Sequence, residues 1–479
     1  MSEARVRHGI SLEATWGAVA VLVPTAVTAF IPTQALDLAY QLRAGAEMMA
    51  SRDLMRTDTF TYTVHGAPWL NQQWGAQILL ASAHPGDGWL GLGLVRVVAV
   101  AVTMFLVFRS CRSLGAGVRV AAGMTVAAWF VAATTIAQLR PQTFAIVLFA
   151  SSAWLVVTRT RGRRRLWLVP LITVLWVNVH GSFPLVLVWL GVAMIDDLAG
   201  GRRGDALVTA SIAAVSVVAM SVNPFGLEIV TYVADLVTDP VVSERVGEWG
   251  APSFMTLTGL LFWTSLAGVV IVVARRHARL SVGSMVGLAV FAVGAIVAVR
   301  GVVWWALAVP ILMSPAVAAR DPVPETRPDR SVVGFAIVAV LVGLTVVGVV
   351  RGTHVDPRTR APSMLSFAPG RLVDALRDTV PPGSRVFASQ LHASWAEYAA
   401  DGYLYAVDSR IELFPDRVWQ EYFAISDGRE GWEVALDRSE VVAVLLDPSQ
   451  AAGLSAHIRD DPGWRLVLET DEGALFVRA

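Results

Sequence analysis

Lysine is absent from this sequence: all 38 basic residues are arginine, matched by 38 acidic residues to a formal charge of zero. That balance gives no reason to expect a nucleic-acid partner. Cysteine is nearly absent as well. Cys111 alone cannot close an intramolecular disulfide, and no Cys/His spacing marks a structural zinc site. Charge of either sign is scarce, at 16% of residues against 55% hydrophobic, and the mean hydropathy of +0.58 excludes a purely cytosolic enzyme. Also missing are a Walker loop, a dinucleotide fingerprint, a His-Glu-x-x-His pair and a nucleophile elbow. ATP-driven, zinc-protease and serine-hydrolase chemistries therefore lose support.

What the sequence does contain is a series of apolar runs suited to about 30 Å of hydrocarbon, recurring up to about position 350 and then ending. The expected spans are Ala14–Ile31, Trp89–Phe108, Val118–Ile136, Phe144–Val157, Leu166–Val177, Phe183–Ile195, Ala206–Val222, Leu257–Ala274, Val282–Val299, Val302–Ala318 and Val332–Val350. They make an all-α polytopic membrane domain of about eleven transmembrane helices over residues 1–351. Arginine clusters alternate between loops: Arg5 and Arg7, then Arg109, Arg112 and Arg119, then Arg159 to Arg165, Arg202 with Arg203, Arg275 to Arg279, and Arg320 to Arg330. The intervening loops hold isolated arginines, notably Arg140, Arg245 and Arg300. Cationic loops stay cytoplasmic, so the expected location is the plasma membrane with the N-terminus inside. The same rule splits 166–195 into two helices around Asn178-Val179-His180-Gly181, because a single crossing would put Arg202 and Arg203 outside. A cleaved signal peptide is the less favoured reading of the first run, which is long and ends at no small-residue cleavage site.

Two long loops fall on the external side, residues 32–88 and 223–256, and long loops commonly carry function. The first accommodates an amphipathic interfacial helix over Leu36–Ala50, with Leu38, Leu42, Ala46 and Met49 on one side. After a Pro-, Arg- and Ser-rich linker at 352–369, the region 370–479 turns polar and alternates strand and helix, predicting an extracytoplasmic α/β domain. Its strands are expected at Ser384–Ser389, Tyr403–Val407 and Val441–Leu446, closed by the antiparallel pair Trp464–Glu469 and Ala474–Arg478.

Polar residues beside membrane spans are costly and mark candidate sites. Asp37 follows the first span. It could act as a general base, hold a metal against a phosphate leaving group, or complement a helix dipole. Arg300, followed by Gly301 and the pair Trp304-Trp305, suits a phosphate or anionic headgroup, or else snorkels beside an aromatic belt. Arg140, Asn178, His180, Asn223, Glu248 and Trp249 all map to external helix ends, so they could line one outward cavity. The plainer readings are turn chemistry for Asn178, His180 and Asn223 and a solvated acid for Glu248. In the C-terminal domain, Asp408-Ser409-Arg410 follows a strand, where open α/β sheets bind ligands. A structural Asp–Arg brace is the alternative.

The segments Leu42-Arg43-Ala44-Gly45, Asp58-Thr59-Phe60-Thr61-Tyr62-Thr63 and Gly66 to Trp74 resemble the first external loop of a family of bacterial polytopic membrane proteins within the GT-C type glycosyltransferases. The resemblance continues through Arg140-Pro141-Gln142, Asn178 to Gly181, Asn223 to Gly226, Glu248-Trp249, Arg300 with Trp304-Trp305, and Asp408-Ser409-Arg410. It implies a polyprenyl-phosphate-linked sugar as donor, Asp37 as the acidic residue of the first loop, and Arg300 or Arg140 at the donor phosphate. Trp74, which ends the resembling loop segment, is a candidate acceptor-binding or cavity-lining residue together with Glu248, Trp249, Asn178, His180 and Asn223. Leu38 and Ala39 replace the aromatic residues that often follow the acid, and Gln73 stands where a second acid is common. A divalent cation, Mg or Mn, is compatible with this site and not required by it.

Three readings follow. The first is a membrane glycosyltransferase moving a sugar from a polyprenyl-phosphate donor to an external acceptor, whether polysaccharide, glycolipid or protein. The second is a non-catalytic GT-C-fold protein that binds lipid or partners in envelope polysaccharide assembly. A transporter is the third, disfavoured because no inverted repeat is evident and the ionisable residues gather at one face.

Overall fold

Apolar segments with no water to satisfy their backbone must bond within their own turns, and the computed structural model is accordingly helical through the apolar region. It describes residues 10–34, 36–238, 247–318, 332–357 and 359–479, with backbone alone for Asp37, Asp87, Val237 and Thr238. Arg5, Arg7, Arg245, Arg320, Arg327 and Arg330 lie outside the described residues. In chain order the helices begin with α1 (Leu12–Phe30), α2 (Leu36–Ser51), α3 (Trp74–Ser82), α4 (Trp89–Ser113), α5 (Val118–Val131), α6 (Ala133–Ile136) and α7 (Gln142–Val157). There follow α8 (Val169–Val177), α9 (Leu185–Ala199), α10 (Arg203–Ala219), α11 (Glu228–Thr238), α12 (Leu257–Arg276), α13 (Val282–Val297), α14 (Val302–Val317) and α15 (Val332–Thr353).

Every expected span but Val118–Ile136 overlaps a single α-helix, and the break between α8 and α9 falls at the anticipated Asn178–Gly181 tip. Five helical segments among the described residues are long and apolar enough to cross a membrane: α1, α4, α12, α14 with its preceding turn, and α15. The run expected as one span over Val118–Ile136 breaks at Ala132, whose φ of −109° and ψ of 13° are not helical. Helix α11, in the second long loop, has no counterpart among the expected spans.

The chain forms two compact units. The first holds the described residues up to Ile31, Gly93–Ala234 and 247–350. Its centre is aromatic: Phe149 of α7 lies 5.4 Å from Trp189 of α9, 5.6 Å from Phe291 of α13 and 5.1 Å from Trp304 of α14. Helices α9 and α13 meet at Gly283, where a Cβ would stand 2.3 Å from the Val192 carbonyl oxygen, so the crossing needs glycine. Asp197 of α9 is fully buried and accepts from Arg159 and Arg202, joining the ends of α7, α9 and α10.

The second unit holds Pro32–Leu92, a short piece from Asp235, and Arg351–Ala479. Here β1 (Val355–Asp356) and β2 (Ala361–Pro362) form a small hairpin. A mixed five-stranded sheet has the order β4 (Leu404–Tyr405), β3 (Arg385–Ala388), β5 (Val441–Leu446), β7 (Gly473–Arg478), β6 (Trp464–Thr470). Strands β4, β3 and β5 run parallel, and β5, β7 and β6 pair antiparallel, as expected of the closing pair. Helices α16 (Gly370–Thr379), α17 (Gln390–Ala399), α18 (Asp416–Ser426), α19 (Trp432–Arg438) and α20 (Ala452–Ile458) connect the strands.

The first loop is built into this domain. Phe60 and Tyr62 exchange backbone hydrogen bonds with Tyr405 at 3.0 and 2.9 Å, lengthening the sheet at β4. Helix α2 forms where the amphipathic pattern predicts. Leu38 and Leu42, however, are buried while Ala46 and Met49 are exposed, because α3 and α17 pack against α2.

Arg410 locks the assembly. Its Nη2 donates to Asp58 Oδ1 at 2.6 Å and its Nε to Asp408 Oδ2 at 2.9 Å, and all three side chains are fully buried. The guanidinium also lies 4.7 Å from the ring centres of both Phe60 and Trp69. Asp58 in turn accepts from Thr61 N and Oγ1. Removing the cation strands two buried carboxylates. Arg410→Met is therefore expected to cost about 3–5 kcal/mol, measured by denaturation of the full-length protein in detergent.

Nearby, burial pushes the Glu397 carboxyl well above the usual carboxylate range, and Asp408 adds to the push. The native state then binds a proton that the unfolded chain releases near its ordinary value of about 4.3. Stability from this group is full below that value and declines as pH rises toward the folded one. Glu397→Gln is expected to match wild type in melting temperature near pH 4 and to exceed it at pH 8.

Candidate functional site

Glu248, in the turn Gly247–Trp249 that precedes α12, receives two guanidiniums. Arg140 Nη1 reaches its two oxygens at 3.1 and 3.2 Å from the turn before α7, and Arg300 Nη2 stands 3.9 Å away from the turn before α14. Arg300 also stacks on Trp249, 4.0 Å from its ring centre. The Val299 N–H donates to the Gly250 carbonyl at 2.9 Å and fixes these two turns together. Burial alone would raise the Glu248 carboxyl, but Arg140 and then Arg300 outweigh it and hold it below the usual range. The result is an ionised acid at which two permanent cations converge.

His180 completes the group. Burial, with Arg300 and Arg140 adding, lowers its pKa to about 3, so the imidazole is neutral. Its Nδ1 accepts from Ser182 N at 3.1 Å and lies 2.8 Å from Ser182 Oγ, which accepts from Trp176 Nε1. This pattern places the remaining ring proton on Nε2.

Asn178 and Asn223 are close neighbours with backbone work to do. Asn178 Nδ2 donates to the Val222 and Val174 carbonyls, linking the α8–α9 tip to the end of α10. Asn223 closes its own turn through Met220 O, Gly226 O and Phe225 N. Of the expected residues, Arg140, Glu248, Trp249 and Arg300 therefore touch directly, and His180 lies within the field of both arginines.

Asp37 and Trp74 belong to the second unit. Asp37 is the second residue of α2, and its side chain lies outside what is described. Trp74 opens α3. Asp408 and Arg410 are interior and paired with Asp58 and each other. Among the described residues, no group of three or more His, Cys, Asp or Glu side chains is gathered as a metal site.

Arg96 is a functional-looking residue not singled out by sequence. It is 2% exposed within α4, and donates to the Ala137 carbonyl at 2.7 Å and the Ile31 carbonyl at 2.5 Å, joining the ends of α6 and α1 to the body of α4. Its signal was a lone arginine inside an apolar run.

No protein-family model matches the sequence, and comparison with curated proteins finds no match. Solved structures do match. The chain is similar to ArnT from Cupriavidus metallidurans bound to undecaprenyl phosphate, with a TM-score of 0.56 at 13% identity over 97% of this chain and 98% of that one. It is also similar to the apo state of the same protein, with a TM-score of 0.53 at 12% identity over 96% of each. At such identity the likeness is one of fold. The chain has the polytopic helical fold of ArnT, with segments long and apolar enough to cross a membrane, and a C-terminal sheet-containing domain.

The lowered Glu248 carboxyl gives a pH test. Its ion pairs contribute stability above the ordinary carboxylate value, and that contribution is lost as pH falls through the depressed one. Glu248 is more than a third exposed, so the contribution is about 1 kcal/mol after solvent screening. In melts from pH 7 to pH 3, Glu248→Gln should start lower than wild type and lose less.

Proposed function

We propose that this protein is a membrane glycosyltransferase that moves a sugar from a polyprenyl-phosphate donor to an acceptor hydroxyl on the external face. The observation that carries the reading is the convergence of Arg140 and Arg300 on a single carboxylate position beside neutral His180. Guanidiniums suit phosphate oxygens, and two aimed at one anion make a ready receptor for a phosphate. The fold of ArnT, whose structure holds undecaprenyl phosphate, supports a lipid phosphate as the ligand.

In this reaction the acceptor oxygen attacks the anomeric carbon as the bond from that carbon to the donor phosphate oxygen breaks. The electron pair leaves with the phosphate, whose charge Arg140 and Arg300 stabilise as it grows. The acceptor proton passes to Asp37, the role that the family resemblance gives it. No nucleotide is needed, which suits an external reaction.

A second reading, a non-catalytic GT-C-fold protein serving lipid binding or envelope assembly, draws on the loop chemistry. Gln73 Oε1 accepts from Gln41 Nε2 at 2.5 Å and Tyr40 Oη at 3.4 Å, so a neutral amide is built in where a second acid is common.

Release of polyprenyl phosphate from a panel of polyprenyl-phosphate sugars separates the two readings. Wild type in lipid should release it, and Asp37→Asn should be slower by a factor of about 100 or more. Absence of release from every donor, with lipid still bound, supports the second reading instead.

A further inference from the structure

A cavity of about 640 Å³ opens within the second unit, bordered by α2, the β1–β2 hairpin, α16 and α17. Three guanidiniums reach it from three elements: Arg43 from α2, Arg360 from the β1–β2 turn and Arg377 from α16. Arg43 is braced by Glu47 at 2.7 Å, and Arg360 lies 3.7 Å from Asp374. Arg377 is exposed and makes no ion pair among the described residues. Arg360 has a φ of +57°, a left-handed conformation that favours glycine, yet an arginine stands there. Strained backbone of this kind concentrates at ligand-binding positions.

Another wall is aromatic. Tyr398, partly exposed, lies 5.5 Å from Trp395 and 6.0 Å from Trp89 between ring centres. Its hydroxyl donates to His84 Nε2 at 2.6 Å while His84 Nδ1 donates to the Gly88 carbonyl, so the ring is held in place.

The chemistry of the lining selects a class of ligand. Guanidiniums and the carboxylates of Glu47, Asp374 and Asp401 present planar donors and acceptors that match neighbouring hydroxyls. An aromatic wall suits the C–H face of a sugar ring. So many charges disfavour an acyl chain, and the volume suits a small molecule. Arg377 adds a cation available to an acidic substituent.

We infer that this cavity binds an anionic saccharide, a pyranose carrying a phosphate or a carboxylate. Its use as the acceptor of the transfer rests on the glycosyltransferase reading, whereas the binding itself does not.

The test is calorimetric titration of the full-length protein, in nanodiscs of phosphatidylcholine, with glucose 6-phosphate, glucuronic acid, glucose and inorganic phosphate. Saturable binding of one or both anionic sugars, at least about tenfold tighter than glucose or inorganic phosphate, is expected, and whichever sugar binds identifies the acidic group. Arg377→Gln and Arg360→Gly should each weaken it about fivefold or more. Glycine suits the positive φ, so Arg360→Gly should melt no lower than wild type. Failure of both anionic sugars to bind, equal binding of inorganic phosphate, or unchanged affinity in both variants would overturn the inference. Donor turnover is measured separately, so a silent transferase assay leaves a positive titration standing.

Discussion

Every side-chain cation in this chain other than histidine is a guanidinium, and a guanidinium carried out of water keeps its charge and must be met by oxygen. The structure meets that demand in distinct ways. Arg410 is enclosed by Asp58 and Asp408 beside the rings of Phe60 and Trp69, and this closes the first loop onto the sheet. Arg96 is answered by two carbonyls at segment ends and so fastens the first unit internally. Arg140 and Arg300 instead converge on one carboxylate of intermediate exposure. The first two arrangements are enclosed and suit architecture; the third is accessible and suits recognition.

The membrane helices were legible because a hydrophobic run long enough for a bilayer has few alternatives. Arginine placement added the split between α8 and α9, a feature that hydropathy alone leaves open. The C-terminal strands were legible from alternation and from bordering turns, down to the antiparallel closure of β6 on β7. What the sequence did not disclose was long-range pairing. Leu38 and Leu42 satisfy the pattern of an interfacial helix, and nothing local announces that α17, more than three hundred residues later, packs against them. Asp58 stood in a resembling segment, but its burial, like that of Glu397, gave no signal for the same reason, since a carboxylate's burial depends on neighbours distant in the chain.

The site shows the same division. Arg300 stood out in the sequence for its place before Trp304-Trp305, whereas Arg140 and Glu248 were individually weak signals grouped only by their expected position at helix ends, and the meeting of all three at one carboxylate is a property of the fold. His180 gains interest from its surroundings, because burial and two nearby arginines keep it neutral and leave one ring N–H as a donor. Asp408 and Arg410 lie on the loop after a strand, where ligands often bind, yet both are buried and pair with each other, with Asp58 as Arg410's second partner. The ligand-sized cavity of the second unit lies elsewhere, and several of its lining residues, such as Arg360 and Arg377, carry no motif at all.

The central claim is that Arg140 and Arg300 hold a lipid phosphate. Native mass spectrometry of the detergent-released protein, loaded with undecaprenyl phosphate and separately with undecaprenol, tests it most directly. The account predicts that wild type retains the phosphate lipid over the alcohol and that the double variant Arg140→Gln/Arg300→Gln loses this preference while remaining folded. Equal retention of undecaprenyl phosphate by a folded double variant would contradict it.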